Sequence, residues 1–559
     1  MRRAIALLLC LIAAALGVWI IWFGTRQGVG TFGDSVTYFE AATSVSQGHG
    51  FRQHAADGSF MPLLQFPPGY PIVLAAFGKV FGGIVDGARY INFVAIALAV
   101  LLIGHIVYTF TRQPLVAFLA AATYAASGQV MSLYIRMYSE PTYIAFMLLM
   151  IAVLMRRGPR GGWLVVAGCI GGAAILVRFA GVHLIACVML WIVLMNWRFG
   201  WKKLLKRLAA FAIPAAGAAA MWAIRNRLTA GKSSSRLLDF HPPKWEAFRM
   251  TFDVMKRWVF PVENFGVHET ANLQMTLLIV VLTLWTAVPI YALLKRGLPL
   301  RGIRARLALP VIFAMTYTPF IWFAHTFLDG SIPFNYRLLI PAHSVSLIVV
   351  AIWFWGRWHA WPKRSATWAK GVLTVIALGF LYMIGDQVNA CYTLGTRTGE
   401  QGLGYGTALW KNSGGMAMIR NLPPNTIIYT NAADAVYLLT GRSARTLPHS
   451  YASFGEKQAK KLVQHGLGRL RRQLTREHAI IIYFLKINRA RLMVTERQLK
   501  PITKDLHMEQ LSDARMYYVK TSKKKPHPTT AATAPATTRP AKAPEAVPPA
   551  PANGPNEDE

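Results

Sequence analysis

Long apolar runs recur through the first 390 residues of the chain, and they are nearly free of charged residues. Each run is long enough to cross a bilayer as a helix, which takes about 20 mostly apolar residues. The whole chain of 559 residues is 54% hydrophobic and has a mean hydropathy of +0.35. Soluble domains of this length do not show that pattern. We therefore predict a polytopic α-helical membrane protein.

The runs give about eleven predicted transmembrane helices. Arg2 and Arg3 precede the first one, which continues through Trp22 and Phe23 and is typical of an uncleaved signal anchor. The segment 68–83, PGYPIVLAAFGKVFGG, is short and rich in proline and glycine, so we expect it to lie along the interface. The predicted spans lie near 4–23, 90–110, 115–133, 141–155, 163–178, 180–196, 208–224, 273–294, 307–327, 338–356 and 371–388.

The loop charges set the orientation. With the N-terminus inside, the inner loops include TRQP, RRGPRGG and RFGWKKLLKR, which contain Lys and Arg but no acidic residue, as the positive-inside rule requires. All 24 Asp and Glu then fall in segments predicted outside or at their edges. The transmembrane domain is thus predicted over 1–388, with outer loops at 24–89 and 225–272.

The sequence of residues 389–520 predicts a small extracytoplasmic α/β domain. NTIIYTN, AIIIYFLK and RMYYVK have the composition of strands, whereas AADAVYLLTG and EKQAKKLVQHGLGRLRRQL have the pattern of helices. Residues 521–559 are rich in Pro, Ala, Thr and Lys, and we expect them to be disordered.

The net charge of +36 raises the question of a nucleic-acid partner. Much of the excess lies in the short inner loops, so membrane topology explains it, and we expect a lipid bilayer and no nucleic acid as the partner. The four cysteines contain no CxxC pair, which disfavours a disulfide framework or a structural zinc site.

The first candidate site residue is Asp34, in the outer stretch GDSVTYFEAA. If this stretch is helical, Asp34 and Tyr38 share one face, while Glu40 points elsewhere. Asp34 has two interpretations. It could cap the N-terminus of that helix, or it could act as a base or metal ligand at the membrane surface.

The second candidate is Glu140, in the short outer turn RMYSEPTY before the fourth span. Ser139 or Glu140 could simply cap that helix, whose first turn suits Pro141. A carboxylate at the lip of an apolar bundle is nevertheless costly unless it is paired or hydrated. Asp34 and Glu140 could therefore converge on one cavity.

Several arginines lie at the outer ends of spans, against the inward bias of the other cations. Guanidinium groups suit phosphate, so these residues favour a lipid-linked phosphate substrate; the alternative is snorkelling to lipid head groups. The arginines are Arg136, Arg178, Arg225 in WAIRN and Arg337 in NYRLLIP, and we add Tyr38, Asn226 and Tyr336 as candidate substrate-binding neighbours.

In order along the chain, GDSVTYFEAA, SQGHGF, FPPGYP, YSEPTY, RFAG, WAIRN and NYRLLIP resemble integral-membrane glycosyltransferases of the GT-C superfamily. The nearest group is similar to the lipopolysaccharide galacturonosyltransferases. Aminoarabinose transferases of lipid A and protein O-mannosyltransferases are more distant. The resemblance covers roughly residues 1–450.

The resemblance implies inverting transfer from a polyprenyl-phosphate sugar at the periplasmic face of the bacterial inner membrane. It also implies that Asp34 is the essential acid of the first outer loop, that Glu140 is a second acid, and that Arg337 lies near the lipid phosphate. The chain departs from the family in having no adjacent DD or DxD pair. This departure favours a direct base role for Asp34 and weakens the other expectation, a divalent metal, Mg or Mn, held by Asp34 and Glu140.

A membrane transporter or lipid flippase of envelope glycan precursors is the alternative function. Such proteins carry ionisable residues or broken helices near the bilayer midplane, whereas the acids here lie at the outer face. A scaffold for polymer assembly would leave the outer Asp, Glu and Arg set unexplained. No short motif encodes the sugar, and the acceptor could be a lipid, a polysaccharide or a protein.

Overall fold

The structure is a computed structural model. It describes residues 1–55, 57–196, 199–233, 240–242, 245–259, 302–328, 332, 334–360, 367–448, 456–487 and 493–519. Two predictions lie wholly outside these residues, the span near 273–294 and the tail at 521–559, and the predicted outer loop at 225–272 lies partly outside them.

Helices make up most of the described chain before residue 402. They are α1 (Arg2–Gly24), α2 (Gly33–Ser46), α3 (Gly69–Val80), α4 (Ile84–Thr111), α5 (Pro114–Ala125), α6 (Gly128–Tyr134), α7 (Glu140–Arg157), α8 (Gly161–Val177), α9 (Gly181–Asn196), α10 (Trp201–Ala230), α11 (Trp245–Val259), α12 (Gly302–Phe327), α13 (Tyr336–Ala360) and α14 (Thr367–Gln401). A two-stranded antiparallel hairpin, β1 (Arg52–His54) and β2 (Phe60–Pro62), follows α2.

Five described helices are long and apolar enough to cross a membrane, so the protein is a multi-pass membrane protein. They are α1, α4, α10 and the segments Ala305–Phe327 of α12 and Tyr336–Gly356 of α13. The single span predicted near 115–133 is instead the pair α5 and α6, bent by 59°, which would make a sixth span. The total of eleven spans stays a prediction.

The bundle packs closely through small residues, as membrane helices do. Helix α1 lies against α4 and α5, and α8 lies against α10. A methyl group at Gly168 of α8 would lie 2.5 Å from the Pro214 Cγ of α10, so only glycine permits this approach. The segment predicted to lie along the interface contains the short apolar helix α3, which packs against α2 and α4.

A five-stranded mixed sheet follows the helices, in the order β4-β3-β5-β7-β6. The three strands predicted from the sequence are β3, β5 and β7, and both predicted helices are present as well. The elements are α15 (Ala408–Lys411), α16 (Gly414–Asn421), β3 (Ile428–Thr430), α17 (Ala433–Thr440), β4 (Arg445–Thr446), α18 (Glu456–Arg476), β5 (Ile480–Phe484), α19 (Glu496–Thr503), β6 (His507–Gln510) and β7 (Ala514–Tyr518).

The alternation of side chains in β5 gives this sheet two buried faces. Ile480 and Ile482 pack in one apolar cluster with residues of α16 and α17, and Val36 of α2 belongs to that cluster. Ile481 points to the opposite face, which is covered by α18 and α19. Helix α2 therefore packs on the sheet from one side only.

The boundary at residue 389, where the outer domain is predicted to begin, falls inside a helix. Helix α14 runs without a break to Gln401. The chain then returns to the segment just before α2, where Thr31 and Gly404 form a parallel bridge.

Candidate active site

The turn between α6 and α7 is fixed by main-chain and side-chain hydrogen bonds. The Gly30 N–H donates to the Ile135 carbonyl at 2.8 Å, and the Met137 N–H donates to the Gly30 carbonyl at 2.9 Å. The buried Asn92 amide of α4 donates to the carbonyls of Tyr134 and Arg136, at 2.6 and 2.8 Å. The turn that carries Glu140 is therefore held from two directions.

Helix α2 is attached to the same turn by two hydroxyl groups. The Ser35 hydroxyl donates to the Met137 carbonyl at 3.0 Å, and the hydroxyls of Tyr38 and Ser139 are 3.0 Å apart. Asp34 lies in the first helical turn, but the N-cap residue is Phe32 and no side chain caps the helix. Capping thus does not account for Asp34 in this structure.

Arg337, in the first turn of α13, joins both predicted carboxylates. Its Nη2 lies 2.6 Å from Asp34 Oδ2, and its Nε donates to Glu140 Oε1. Arg178, which immediately follows α8, lies with its Nη1 3.0 Å from the same Glu140 oxygen and donates to Ser139 Oγ at 3.3 Å. The Arg337 guanidinium also stacks over the Tyr138 ring, 4.0 Å from its centroid.

The two carboxylates differ in environment. The Glu140 side chain is fully buried, whereas 35% of the Asp34 side chain is exposed. Burial would raise the pKa of the Glu140 carboxyl, but Arg178 and Arg337 outweigh it and hold that pKa below its ordinary value. Glu140 is thus a fixed anion, while Asp34 faces the open side of the cluster.

The geometry favours an ion-pair network more than a metal site. The Arg337 guanidinium binds one oxygen of each carboxylate, in the region where a shared cation would have to sit. Among the described residues, no group of three His, Cys, Asp or Glu is arranged to hold a metal ion. Asp34 and Glu140 do not by themselves form a divalent-metal ligand set.

Arg225 and Asn226 lie in a second group. The Arg225 guanidinium donates to the carbonyls of Leu63 and Phe51, at 3.2 and 3.0 Å, and to Asn226 Oδ1 at 2.9 Å. It thereby ties α10 to the β-hairpin, and its contacts in the described residues include no site carboxylate. A substrate-binding role for the pair stays a prediction.

Tyr336 and Arg136 lie beside the cluster. Tyr336 immediately precedes Arg337, and the Arg136 guanidinium lies 5.7 Å from the Tyr336 ring centroid. Arg136 also stacks over Phe32, at 5.4 Å from its ring centroid. These contacts place Arg136 beside the N-terminus of α2. The role of Tyr336 in substrate binding stays a prediction.

The sequence interpretation missed two sets of contacts. Asn92 and Ser139 position the predicted site residues; a lone asparagine in an apolar run was the available signal for the first. Glu40 forms a link of another kind: its carboxylate lies 3.1 Å from His54 Nδ1 and accepts the His54 main-chain N–H at 2.9 Å. His54 Nε2 in turn lies 2.8 Å from Ser443 Oγ, so the link reaches the segment before β4.

Comparison with known proteins gives structural matches alone. No protein-family model matches the sequence, and no curated protein matches it significantly. ArnT from Cupriavidus metallidurans bound to undecaprenyl phosphate has a TM-score of 0.56 and 13% identity, over 90% of this chain and 97% of that one. The archaeal oligosaccharyltransferase AglB from Archaeoglobus fulgidus, in complex with an inhibitory peptide and a dolichol-phosphate, has a TM-score of 0.52 and 11% identity, over 93% of this chain and 75% of that one.

A second structure of the Archaeoglobus fulgidus oligosaccharyltransferase, a complex with Zn and sulfate, has a TM-score of 0.53 and 13% identity, covering 91% of this chain and 73% of that one. ArnT and AglB are glycosyltransferases of the GT-C superfamily. Identities this low carry information about the fold alone, but the matches extend over most of the chain. The protein therefore has the fold of the GT-C integral-membrane glycosyltransferases, as its ordered motifs implied.

Proposed function

We propose that the protein is an inverting glycosyltransferase. It moves a sugar from a polyprenyl-phosphate donor to an acceptor hydroxyl at the periplasmic face of the bacterial cytoplasmic membrane. The observation that carries the proposal is the contact of Arg337 with both Asp34 and Glu140, within a GT-C fold. The fold neighbours that bind undecaprenyl phosphate and dolichol-phosphate support the choice of donor.

Asp34 is the proposed general base. Its carboxylate is the more exposed of the two, and Arg337 holds one of its oxygens. As the acceptor hydroxyl attacks the anomeric carbon, Asp34 accepts the hydroxyl proton. The new bond joins the acceptor oxygen to that carbon, the bond from the carbon to the phosphate oxygen breaks, and the electron pair leaves with the polyprenyl phosphate.

Arg337 and Arg178 are the proposed phosphate ligands. The leaving group is already a phosphate, so it needs charge stabilisation more than a proton. A guanidinium has five N–H donors, and each arginine uses only some of them on the carboxylates. Buried Glu140 orients both side chains, which keeps the remaining donors in one place.

The proposal does not require a divalent ion. The Mg or Mn ion expected at Asp34 and Glu140 has an incomplete ligand set in the described residues, and the arginines already supply positive charge there. The shape of the binding pocket selects the sugar and the acceptor, and short motifs do not define that shape. The acceptor could be a lipid, a polysaccharide or a protein.

The test is transfer or hydrolysis of a radiolabelled polyprenyl-phosphate sugar by the purified protein in detergent. Asp34→Asn should reduce the rate by about 10²–10⁴-fold, the usual contribution of a general base, while the folded protein is recovered in normal yield. Asp86→Asn is the matched control, because Asp86 also lies in the first turn of a helix but is exposed.

Full activity of Asp34→Asn would refute the base assignment. The wild-type protein could instead release no labelled sugar and move the intact lipid between the leaflets of a vesicle. That result would favour the alternative of a transporter or flippase.

A further inference from the structure

We propose that the outer layer formed by α18 and α19 binds an anionic glycan, a saccharide chain that carries carboxylate or phosphate groups. This inference goes beyond the proposed function, since it concerns a surface on the other side of the sheet from the Asp34 helix. It adds an acidic saccharide to the molecules that the protein is proposed to bind.

The charge of this part of the chain is not explained by topology. Residues 389–520 contain 20 Lys and Arg against eight Asp and Glu, although they are predicted to lie outside, where the positive-inside rule gives no reason for cations. The excess therefore needs another explanation.

The structure gathers many of these cations into two rows. Each row occupies positions i, i+3 and i+7 on the exposed face of one helix, and the two helices pack against each other. The six residues are Arg469, Arg472 and Arg476 on α18, and Arg497, Lys500 and Lys504 on and just after α19, all of them exposed.

The ion pairs found on this layer involve other residues. Arg471 pairs with Asp505 at 3.3 Å, and Arg515 pairs with Glu496 at 2.6 Å. Among the residues that the structure describes, none of the six row residues lies within 4.0 Å of a carboxylate oxygen, and Lys500 has the nearby charge of Glu496, one helical turn earlier. Neighbouring like charges at these spacings cost about 0.2–0.5 kcal/mol per pair, so a bound anion would relieve a real repulsion.

The leucines of the layer whose side chains the structure describes are buried inside the protein. Leu467, Leu470 and Leu474 of α18 and Leu499 of α19 are buried against the sheet. Helices that insert into membrane interfaces present apolar side chains to the lipid, and here those side chains are committed elsewhere. The layer also lies on the face of the sheet opposite to Val36 and the bundle-bound helix α2. Both observations favour a partner outside the membrane over lipid head groups.

The spacing suits an extended polyanion better than a single ion. Seven residues of helix rise about 10 Å, and packed helices lie about 8–10 Å apart, so the six cations cover an area larger than one phosphate. A glycan with acidic groups repeated along its length can meet several of them at once, whereas a neutral glycan cannot.

The experiment measures binding of polygalacturonate to the full-length protein in detergent, with neutral dextran as the control polymer. We expect polygalacturonate to bind and dextran not to bind. The affinity should fall steeply as salt rises, because the bound cations displace counterions from the polymer. Arg469→Glu, Arg472→Glu and Arg476→Glu combined should weaken binding about tenfold or more.

The matched control reverses three exposed cations of α10, with Lys202→Glu, Lys203→Glu and Lys206→Glu, and should bind as the wild type does. If the α18 variant fails to fold, Arg497→Gln, Lys500→Gln and Lys504→Gln test the second row with milder changes. Unchanged binding by a folded row variant would overturn the proposal. The same row variants are tested for binding to vesicles of anionic phospholipid. A row variant that loses vesicle binding but still binds polygalacturonate would also overturn the proposal, because it would identify a membrane surface as the partner. Binding needs no sugar transfer, so its failure is distinguishable from failure of the proposed glycosyltransferase activity.

Discussion

The Arg337 guanidinium lies 2.6 Å from the Asp34 carboxylate, although the two residues belong to α13 and α2, far apart in the chain. This contact joins the segment that follows α1 to a late helix of the bundle. It makes the position of the proposed base dependent on a residue whose own orientation is fixed by buried Glu140.

Arg337→Lys should reduce sugar transfer by about 10²-fold, while the protein still folds. Lysine keeps the positive charge but lacks the planar fork with which Arg337 reaches two carboxylates at once. The measurement is the transfer rate beside the melting temperature in detergent. Arg89→Lys is the control, since Arg89 donates hydrogen bonds to the Thr25 hydroxyl and the Trp22 carbonyl at the C-terminal end of α1, away from the site carboxylates. Wild-type activity in Arg337→Lys would contradict the role assigned to the bridge.

Glu140→Gln should destabilise the protein by roughly 3–5 kcal/mol, because Arg178 loses its carboxylate partner at a buried site and Arg337 keeps only Asp34. Denaturation in detergent measures the change. Glu246→Gln, at an exposed position of α11, should have almost no effect. A Glu140→Gln variant as stable as the wild type would mean that water or lipid compensates the arginines.

The pH dependence of stability follows from the same residue. The pKa of Glu140 is lowered from an ordinary value of 4.5 by Arg178 and Arg337, which outweigh burial. A carboxyl with a lowered pKa contributes its full stabilisation above its ordinary value and loses it as the pH falls through the lowered one. The contribution of Glu140 should therefore be constant from neutral pH down to about 4.5 and decline only below that. A fall in melting temperature between pH 8 and pH 6 that Glu140→Gln abolishes would show the opposite.

Asn92→Leu should lower stability by about 1–3 kcal/mol, since two buried carbonyls lose their hydrogen bonds. It should also lower the transfer rate by about 10²-fold, because the turn before Glu140 loses its support and small displacements are costly. Asn389→Leu, at an exposed position of α14, is the control. An unchanged transfer rate in Asn92→Leu would show that the turn is held well enough by the Gly30 main chain.

His54→Ala should loosen α2 at its outer side. The centroid of the His54 ring lies 4.3 Å from that of Phe60 and 4.2 Å from that of Tyr437. The two ring nitrogens of His54 also contact the Glu40 carboxylate and the Ser443 hydroxyl. Hydrogen exchange of the α2 peptide should become faster, and His49→Ala, an exposed histidine just beyond α2, should leave it unchanged. Equal exchange in His54→Ala and wild type would mean that the apolar contacts of α2 suffice.

Removal of divalent ions with EDTA should leave sugar transfer unchanged, because Arg337 and Arg178 supply the positive charge around Asp34 and Glu140. The assay is the transfer rate before and after chelation. Loss of activity that Mg²⁺ or Mn²⁺ restores would reinstate the metal site expected from the sequence.

Much of the fold could be predicted because apolar length is encoded locally. The runs of α1 and α4 show directly in the sequence, whereas the break between α5 and α6 does not, since its residues Ala126 and Ser127 are not strong helix breakers. In the C-terminal part, the strand β5 is evident from its isoleucines, but the order of strands in the sheet depends on contacts distant in the chain.

The candidate site followed from topology more than from spacing. Asp34, Glu140 and Arg337 are recognisable because charged groups are rare at the outer ends of apolar spans. Arg225 has the same sequence signature as Arg337, yet it donates to main-chain carbonyls of Leu63 and Phe51, on either side of the β1–β2 hairpin. Nothing local distinguishes an arginine that meets a carboxylate from one that meets a carbonyl.

Helix α2 is shared by two parts of the molecule. Ser35 and Tyr38 attach it to the bundle, while Val36 belongs to the core beneath the sheet. A fragment that ends at residue 388 would leave Val36 without its partners and would cut α14 in the middle. The bundle and the sheet should therefore melt in a single transition, and the helical bundle is not an independent module that could be grafted onto another C-terminal domain.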